Sequence, residues 1–166
     1  MIAGDTISID PGIRGCGVAL WHASFSSWTL ERAYYVKNPI EAGDGVYAVL
    51  AMATAIEAVS IRYPVIEWPR VYTAGKLKGD PNDLLPLVAI GIALCARFGA
   101  GTRYFPHEWK GQMKKEQTEE RIRSRLSESE LSCVEATGHK GHNVWDAVGL
   151  GLWHFERFNR KRVIAR

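Results

Sequence analysis

The stretch that decides the fold is Ser8-Ile9-Asp10-Pro11-Gly12-Ile13-Arg14-Gly15-Cys16-Gly17-Val18-Ala19-Leu20. From Thr6 to Asp10 polar and apolar residues alternate, as in a strand with one buried face. Asp10 falls where that strand ends. Pro11-Gly12 is a turn signal, and Gly15 and Gly17 let the chain bend back into a second strand, Val18 to Trp21. A carboxylate at a strand end beside a glycine-rich return can present a metal ligand or a phosphate contact. The same residues also fit a plain hairpin with a polar strand end, and the rest of the chain has to decide.

Beyond the hairpin, a serine-rich turn (Ser24, Ser26, Ser27) leads to a third strand, Trp28 to Val36, which completes an antiparallel meander. Apolar residues at helical spacing predict a helix from Val46 to Ile61, stopped by Tyr63-Pro64. Val65-Ile66-Glu67 then reads as a short buried strand carrying a carboxylate. Arg70 to Asp80 is a loop, and Asn82 or Asp83 caps a helix from Leu84 to Phe98. That helix is apolar almost all round, so burial on every side is expected. Arg103-Tyr104-Phe105 is a brief strand and Pro106 opens a turn. A polar helix runs from Lys115 to Leu126, with Glu119 and Arg123 in the favourable i,i+4 order. Ser127 to Gly141 is loop-like or partly helical, and the last helix starts near Asn143, with Asp146 in its first turn. The order predicts one α/β domain over 1–166: a mixed five-stranded sheet, three antiparallel strands then two parallel, flanked by helices.

Composition sets the class. Of 166 residues, 46% are hydrophobic and 23% charged, as in ordinary globular proteins. No apolar run is long enough to span a membrane, and Met1 to Asp5 lacks the basic start and apolar core of a secretion signal, so a cytoplasmic protein is expected. Cys16, Cys95 and Cys133 are scattered and suit reduced thiols. A net charge of +3 does not announce a nucleic-acid binder. Its distribution is more suggestive: Arg157, Arg160, Lys161, Arg162 and Arg166 form an acid-free tail, and Lys110, Lys114 and Lys115 cluster after the Pro106 turn.

Three carboxylates fall in telling places. Asp10 ends the first strand, Glu67 ends the fourth, which in this order can lie beside the first, and Asp146 follows a Gly-His loop. Converged on one point, they repel one another strongly unless divalent cations neutralise them. Hard carboxylate oxygens favour Mg²⁺, with Mn²⁺ as a substitute. Two such ions roughly 4 Å apart can activate a water and stabilise the leaving oxygen of a phosphodiester. Singly, each acid has a plainer role: Glu67 can pair with Arg70 or Lys76, and Asp146 can be a charge on a helix terminus.

Four motifs in order carry a resemblance. Ile9-Asp10-Pro11-Gly12 through Gly15, Gly17 and Ala19-Leu20 resembles the first motif of RuvC-type Holliday junction resolvases. Ile66-Glu67 resembles their second acidic strand, and Pro106-His107-Glu108-Trp109-Lys110 their proline-x-x-apolar-lysine turn. Asp146-Ala147 with Val148 to Leu152 resembles their last acidic helix. The resemblance implies an RNase H-like fold, a homodimer, two Mg²⁺ ions per site, no small-molecule cofactor, and paired symmetric nicking of four-way DNA junctions that leaves 5′-phosphates. A phage-encoded protein acting in a host cytoplasm would suit the short chain.

Two positions depart from that pattern. Where the family carries a fourth ligand three residues before the last aspartate, this chain has Asn143, preceded by His142. Asn143 offers a carbonyl oxygen, and His142 at i−4 can reach the same helix face as ligand or base. His142 could also belong with Cys133 and His139 to a zinc site, which would lack an evident fourth ligand. Three residues after Glu67, where the family tends to place an aromatic against DNA bases, stands Arg70, flanked by Trp68 and Tyr72. Lys110 is expected beside the acids, holding the scissile phosphate. Arg70, Tyr72, Lys76, Lys78, Lys114 and Lys115 are the expected DNA contacts, the basic ones setting affinity and salt dependence. Other readings are an RNA-processing nuclease of the same fold, a junction-binding protein of weak catalysis, and an actin-like ATPase. The last would need a second phosphate loop, which this chain lacks.

Overall fold

A computed structural model describes residues 5–24, 27–39, 45–56, 61–70, 84–135 and 141–158. Its elements in chain order are β1 (Asp5–Asp10), β2 (Gly15–Ser24), β3 (Ser27–Lys37), α1 (Gly45–Ala55), β4 (Ile61–Glu67) and α2 (Leu84–Phe98). There follow β5 (Thr102–Tyr104), α3 (Pro106–Trp109), α4 (Lys115–Arg123), α5 (Glu128–Glu135) and α6 (His142–His154). The sheet order is β3-β2-β1-β4-β5, with β4 parallel to β1 and β5 parallel to β4. The meander plus two parallel strands is the arrangement expected from the sequence. It puts β1 in the middle of the sheet.

Period-two alternation sorts β1 between two cores. Ile7 and Ile9 pack with Val18, Met52, Ile66, Ile90 and Leu94 on the face covered by α1 and α2. The polar set Thr6, Ser8 and Asp10 turns the other way, and that face is buried too. One covered face was expected, but α6 lies on the second. Ser8 Oγ donates to the Ala147 carbonyl at 2.7 Å and accepts from Trp21 Nε1 at 2.7 Å, so the polar strand face keeps its hydrogen bonds. Close approach is possible because β2 has no side chain at Gly17. A Cβ there would lie 1.8 Å from the Asn143 carbonyl oxygen.

The structure corrects three boundaries and one burial pattern. Helix α1 ends at Ala55, and Ile61 to Pro64 belong to β4 rather than to a helix and its stop. Pro64 is tolerated because β5 pairs with β4 only from Val65 onward, so at Pro64 the ladder runs to β1 alone. Helix α6 starts at His142, which places Asp146 one turn inside it with 2% exposure, not on the terminus. Within the loop-like segment, Glu128–Glu135 forms α5 against β3. Helix α2 is buried on one side only: Ile90, Gly91, Leu94 and Phe98 face the sheet, while Leu85 and Ile92 are exposed. It forms an outer layer, and continuous apolar sequence did not reveal that one side carries exposed apolar residues. Among the described residues, no helix is long and apolar enough to cross a membrane.

On the α6 side a buried ion pair ties the helices to the edge strand. Glu130 of α5 accepts from Leu30 N (2.9 Å) and Arg157 Nη1 (2.6 Å) with one oxygen. Its other oxygen accepts from Ser127 N (2.9 Å) and Arg157 Nη2 (2.8 Å). Burial alone would raise this carboxyl, but the Arg157 and backbone bonds outweigh it and bring the pKa from 4.5 to about 2. Replacing Glu130 by Ala leaves Arg157 without its buried partner and is expected to cost about 3–5 kcal/mol in urea unfolding at neutral pH. The folded pKa lies below the unfolded one, so this stabilisation is complete above the unfolded value and fades as pH falls towards the folded one. The gap between wild type and Glu130→Ala should therefore narrow between about pH 5 and pH 2, and a gap constant over that range would contradict the assignment.

Candidate active site

Strands β1 and β4 are parallel with Ile9 beside Ile66, and both isoleucines point into the α1/α2 core. The next residue on each strand must point the opposite way. Asp10 and Glu67 therefore turn together towards the α6 face at the ends of adjacent strands. Helix α6 brings Asp146 over those ends. Its first turn is fixed by Asn143, whose Nδ2 donates to the Gly15 carbonyl at 3.1 Å, leaving Oδ1 as the amide's acceptor. The turn after α3 supplies Lys110, whose Nζ lies 2.8 Å from Asp146 Oδ2 and 3.2 Å from Glu67 Oε2. Trp109 Nε1 donates to the same Glu67 oxygen at 2.8 Å. His142 Nε2 is 3.2 Å from Asp146 Oδ2. Asp10, Glu67, Lys110, His142, Asn143 and Asp146 thus line one open cleft of about 500 Å³, with the Pro11 to Gly15 turn along its rim.

Electrostatics follow from this crowding. Burial raises the Asp10 pKa well above the usual carboxylate range, and Glu67 and Asp146 push it further, against the pull of Lys110. Glu67 is raised as well, by burial first and by Asp146, with Lys110 and the Trp109 bond opposing. Burial favours neutral Lys110, but Glu67 and Asp146 more than reverse this, so its ammonium is held charged. Burial lowers the His142 pKa, and Lys110 and Lys115 reinforce the fall against Asp146. Burial and the two ammonium groups thus favour the neutral imidazole of His142.

The donor set fits a hard divalent cation. Asp10, Glu67 and Asp146 offer carboxylate oxygens and Asn143 a side-chain carbonyl, the ligand types that Mg²⁺ and Mn²⁺ take. Burial and mutual repulsion disfavour the ionised form of Asp10, and among the described residues Lys110 is the ammonium that sits between Glu67 and Asp146. The carboxylate oxygens of Asp10, Glu67 and Asp146 line the same cleft without all three coming within 4.8 Å of one another. Among the described residues, the group of three whose ligand atoms close to within 4.8 Å is Asp5, His22 and Glu31, at the start of β1. That group is largely exposed, and His22 Nδ1 already pairs with Asp5 Oδ1 at 2.8 Å.

The expected DNA contacts divide. Lys114 and Lys115 are exposed at the start of α4, next to the cleft through Lys115 and His142. Arg70 does not pair with Glu67. Its Nη1 lies 2.9 and 3.1 Å from the two ring nitrogens of His107, with the guanidinium 5.8 Å from the Phe105 ring centre. Trp68 is half-buried, packing onto Gly91 of α2 with the Arg103 guanidinium 5.1 Å from its ring centre. Tyr72, Lys76, Lys78 and His139 lie outside the described residues. All three cysteines are free, and burial pushes the Cys16 thiol up to about 12, which suits an inert core thiol. Trp109 was legible only as the apolar position of its turn. Nothing in the local sequence showed that its N–H meets Glu67, because that contact is set by the β4 end and α6.

No protein-family model and no curated protein matches the chain. Solved structures do. The Thermus thermophilus RuvC structure aligns over 90% of this chain and 92% of its own, at 16% identity and a TM-score of 0.55. T. thermophilus RuvC in complex with a Holliday junction substrate aligns over 91% and 92%, at 19% identity and a TM-score of 0.56. The likeness runs through nearly the full length of both chains. The chain has the RNase H-like α/β fold of RuvC, a mixed five-stranded open sheet with helices, which is the fold the four sequence motifs implied.

Proposed function

We propose that the chain is a metal-dependent endonuclease that resolves four-way DNA junctions. The observation that carries the reading is the gathering of Asp10, Glu67 and Asp146 around Lys110 in one open cleft, on a sheet whose fold is that of RuvC. Divalent ions bound by those acids, two of them in this reading, would supply water activation and stabilisation of the leaving oxygen. The chain's own residues do the rest. Asn143 orders the cleft rim through Gly15 and offers Oδ1 to the ligand set. Lys110 neutralises the acids at rest and, once they are neutralised otherwise, is free to hold a non-bridging phosphate oxygen. His142, neutral and within reach of Asp146, can accept a proton at its free ring position. Lys114 and Lys115 counter the repulsion between an acidic site and DNA.

The decisive assay is Mg²⁺-dependent nicking of synthetic four-way, three-way and linear DNA beside an RNA duplex. Wild type should nick the four-way junction symmetrically, and Asp146→Asn should lose at least about 10²-fold of that rate while still binding the junction. Wild type that binds junctions yet never cuts them under Mg²⁺ or Mn²⁺ would leave a binding protein, and preferential cleavage of RNA would leave the RNA-processing reading. Double substitution of Lys114 and Lys115 by Ala should reduce the slope of log K against log salt by roughly 0.9 for each phosphate that is no longer neutralised, without changing which branched substrate is preferred.

Paired cuts in a two-fold junction call for two sites, and we infer a homodimer for that reason. Exposed Leu85 and Ile92 on α2 and exposed Leu50 on the adjacent α1 offer an apolar face for it. In sedimentation equilibrium the wild type should weigh two chains and Ile92→Glu one. A monomeric wild type at micromolar concentration would remove this part of the proposal.

A further inference from the structure

Trp109 meets Glu67, Lys110 and the helix that carries Asp146, yet the proposed reaction gives it no role. It is 2% exposed, so its indole N–H needs a partner, and the partner it has is Glu67 Oε2 at 2.8 Å. Its ring lies against α6 at a position where no side chain intervenes. A Cβ at Gly149, three residues beyond Asp146, would sit 2.6 Å from Trp109 Cζ3. The Lys110 ammonium lies 4.8 Å from the centre of the same ring. One rigid side chain thus touches the helix that carries Asp146 and holds the strand-end carboxylate of Glu67. A Leu or Val at this place would fill part of the volume and offer Glu67 nothing.

We infer that Trp109 is a positioning residue for metal binding: by engaging Oε2, it fixes the Glu67 carboxylate so that Oε1, which here accepts from Lys110 Nζ at 3.4 Å, is presented to a divalent cation once that ammonium is displaced, at a spacing from Asp146 set by the indole against Gly149. The inference rests on the nuclease reading above, since it assumes that Glu67 is a ligand. A carboxylate with free rotation about its last bonds loses that freedom on every binding event. One locked by a buried donor does not, and partners of this kind are generally worth 10–100-fold in metal affinity or activity.

The test measures Mn²⁺ binding directly, from the electron paramagnetic resonance signal of the free ion, with no DNA present. Wild type should bind Mn²⁺, and Asp10→Asn should abolish the tight component. Trp109→Phe, which keeps a ring but no donor, should bind about 10–100-fold more weakly. If Phe at this position disturbs folding, 3-benzothienylalanine at 109 replaces the indole N–H by sulfur in the same ring shape and should weaken binding as much. In a Glu67→Ala background, which removes the acceptor, Trp109→Phe should produce no further change, whereas a merely space-filling ring would add its own loss there. Wild-type affinity in the benzothienyl protein overturns the inference and leaves the nuclease reading intact. Wild type whose Mn²⁺ uptake is indifferent to Asp10→Asn overturns both.

Discussion

Like charges confined to a small volume are the constraint around which this chain is built. Asp10, Glu67 and Asp146 come from β1, β4 and α6, and all three line one cleft. Two unit charges about 5 Å apart at an effective dielectric of about 20 repel by roughly 3 kcal/mol, and a whole domain is stable by only about 5–15 kcal/mol. The protein meets part of this by holding Lys110 charged between two of the acids and by letting the Asp10 pKa rise. In the proposed reading, the residual demand for positive charge is what small, hard, doubly charged ions would meet.

The scaffold has to bring the acids into one cleft against that repulsion, and it does so with regular elements rather than loops. The parallel register of β1 and β4 fixes two carboxylates on one face. Ser8, Ala147 and Trp21 hydrogen-bond across the interface between the sheet and α6, and Gly17 lets the start of α6 approach β2. Beyond the last turn of that helix, Arg157 clasps Glu130 and also donates to the Trp28 and Arg125 carbonyls, at 2.8 and 3.2 Å. Helix α6 is thus held at both ends. A shift of one residue in β4 would turn Glu67 towards the opposite core and dismantle the site.

What could be read from the sequence was what depends on position within one element. Asp10 and Glu67 stand at strand ends, which turn residues and short apolar runs mark plainly, and the antiparallel start follows from two close turns. Asp146 was visible for its place in a motif, but its depth was not, because one residue more of helix decides whether it lies on the end or inside. Pro64 misled because a proline reads as a stop, and only the short span of β5 reveals that β4 has room for it. The exposed side of α2 was hidden for the converse reason: hydrophobic sequence tells what should be covered, not whether a neighbour covers it. Trp109 and Glu130 were missed because Glu67 lies 42 residues from Trp109, and Arg157 and Leu30 lie 27 and 100 residues from Glu130, in contacts that exist only after the sheet and α6 have packed.

The central claim concerns where cations go, and the most direct measurement is the anomalous diffraction of Mn²⁺-soaked crystals. The account predicts density in the cleft, liganded by Asp10, Glu67 and Asp146, with Lys110 displaced from between the acids. Manganese absent from that cleft while bound at Asp5, His22 and Glu31, or bound nowhere in a crystal whose cleft is open to solvent, would contradict it.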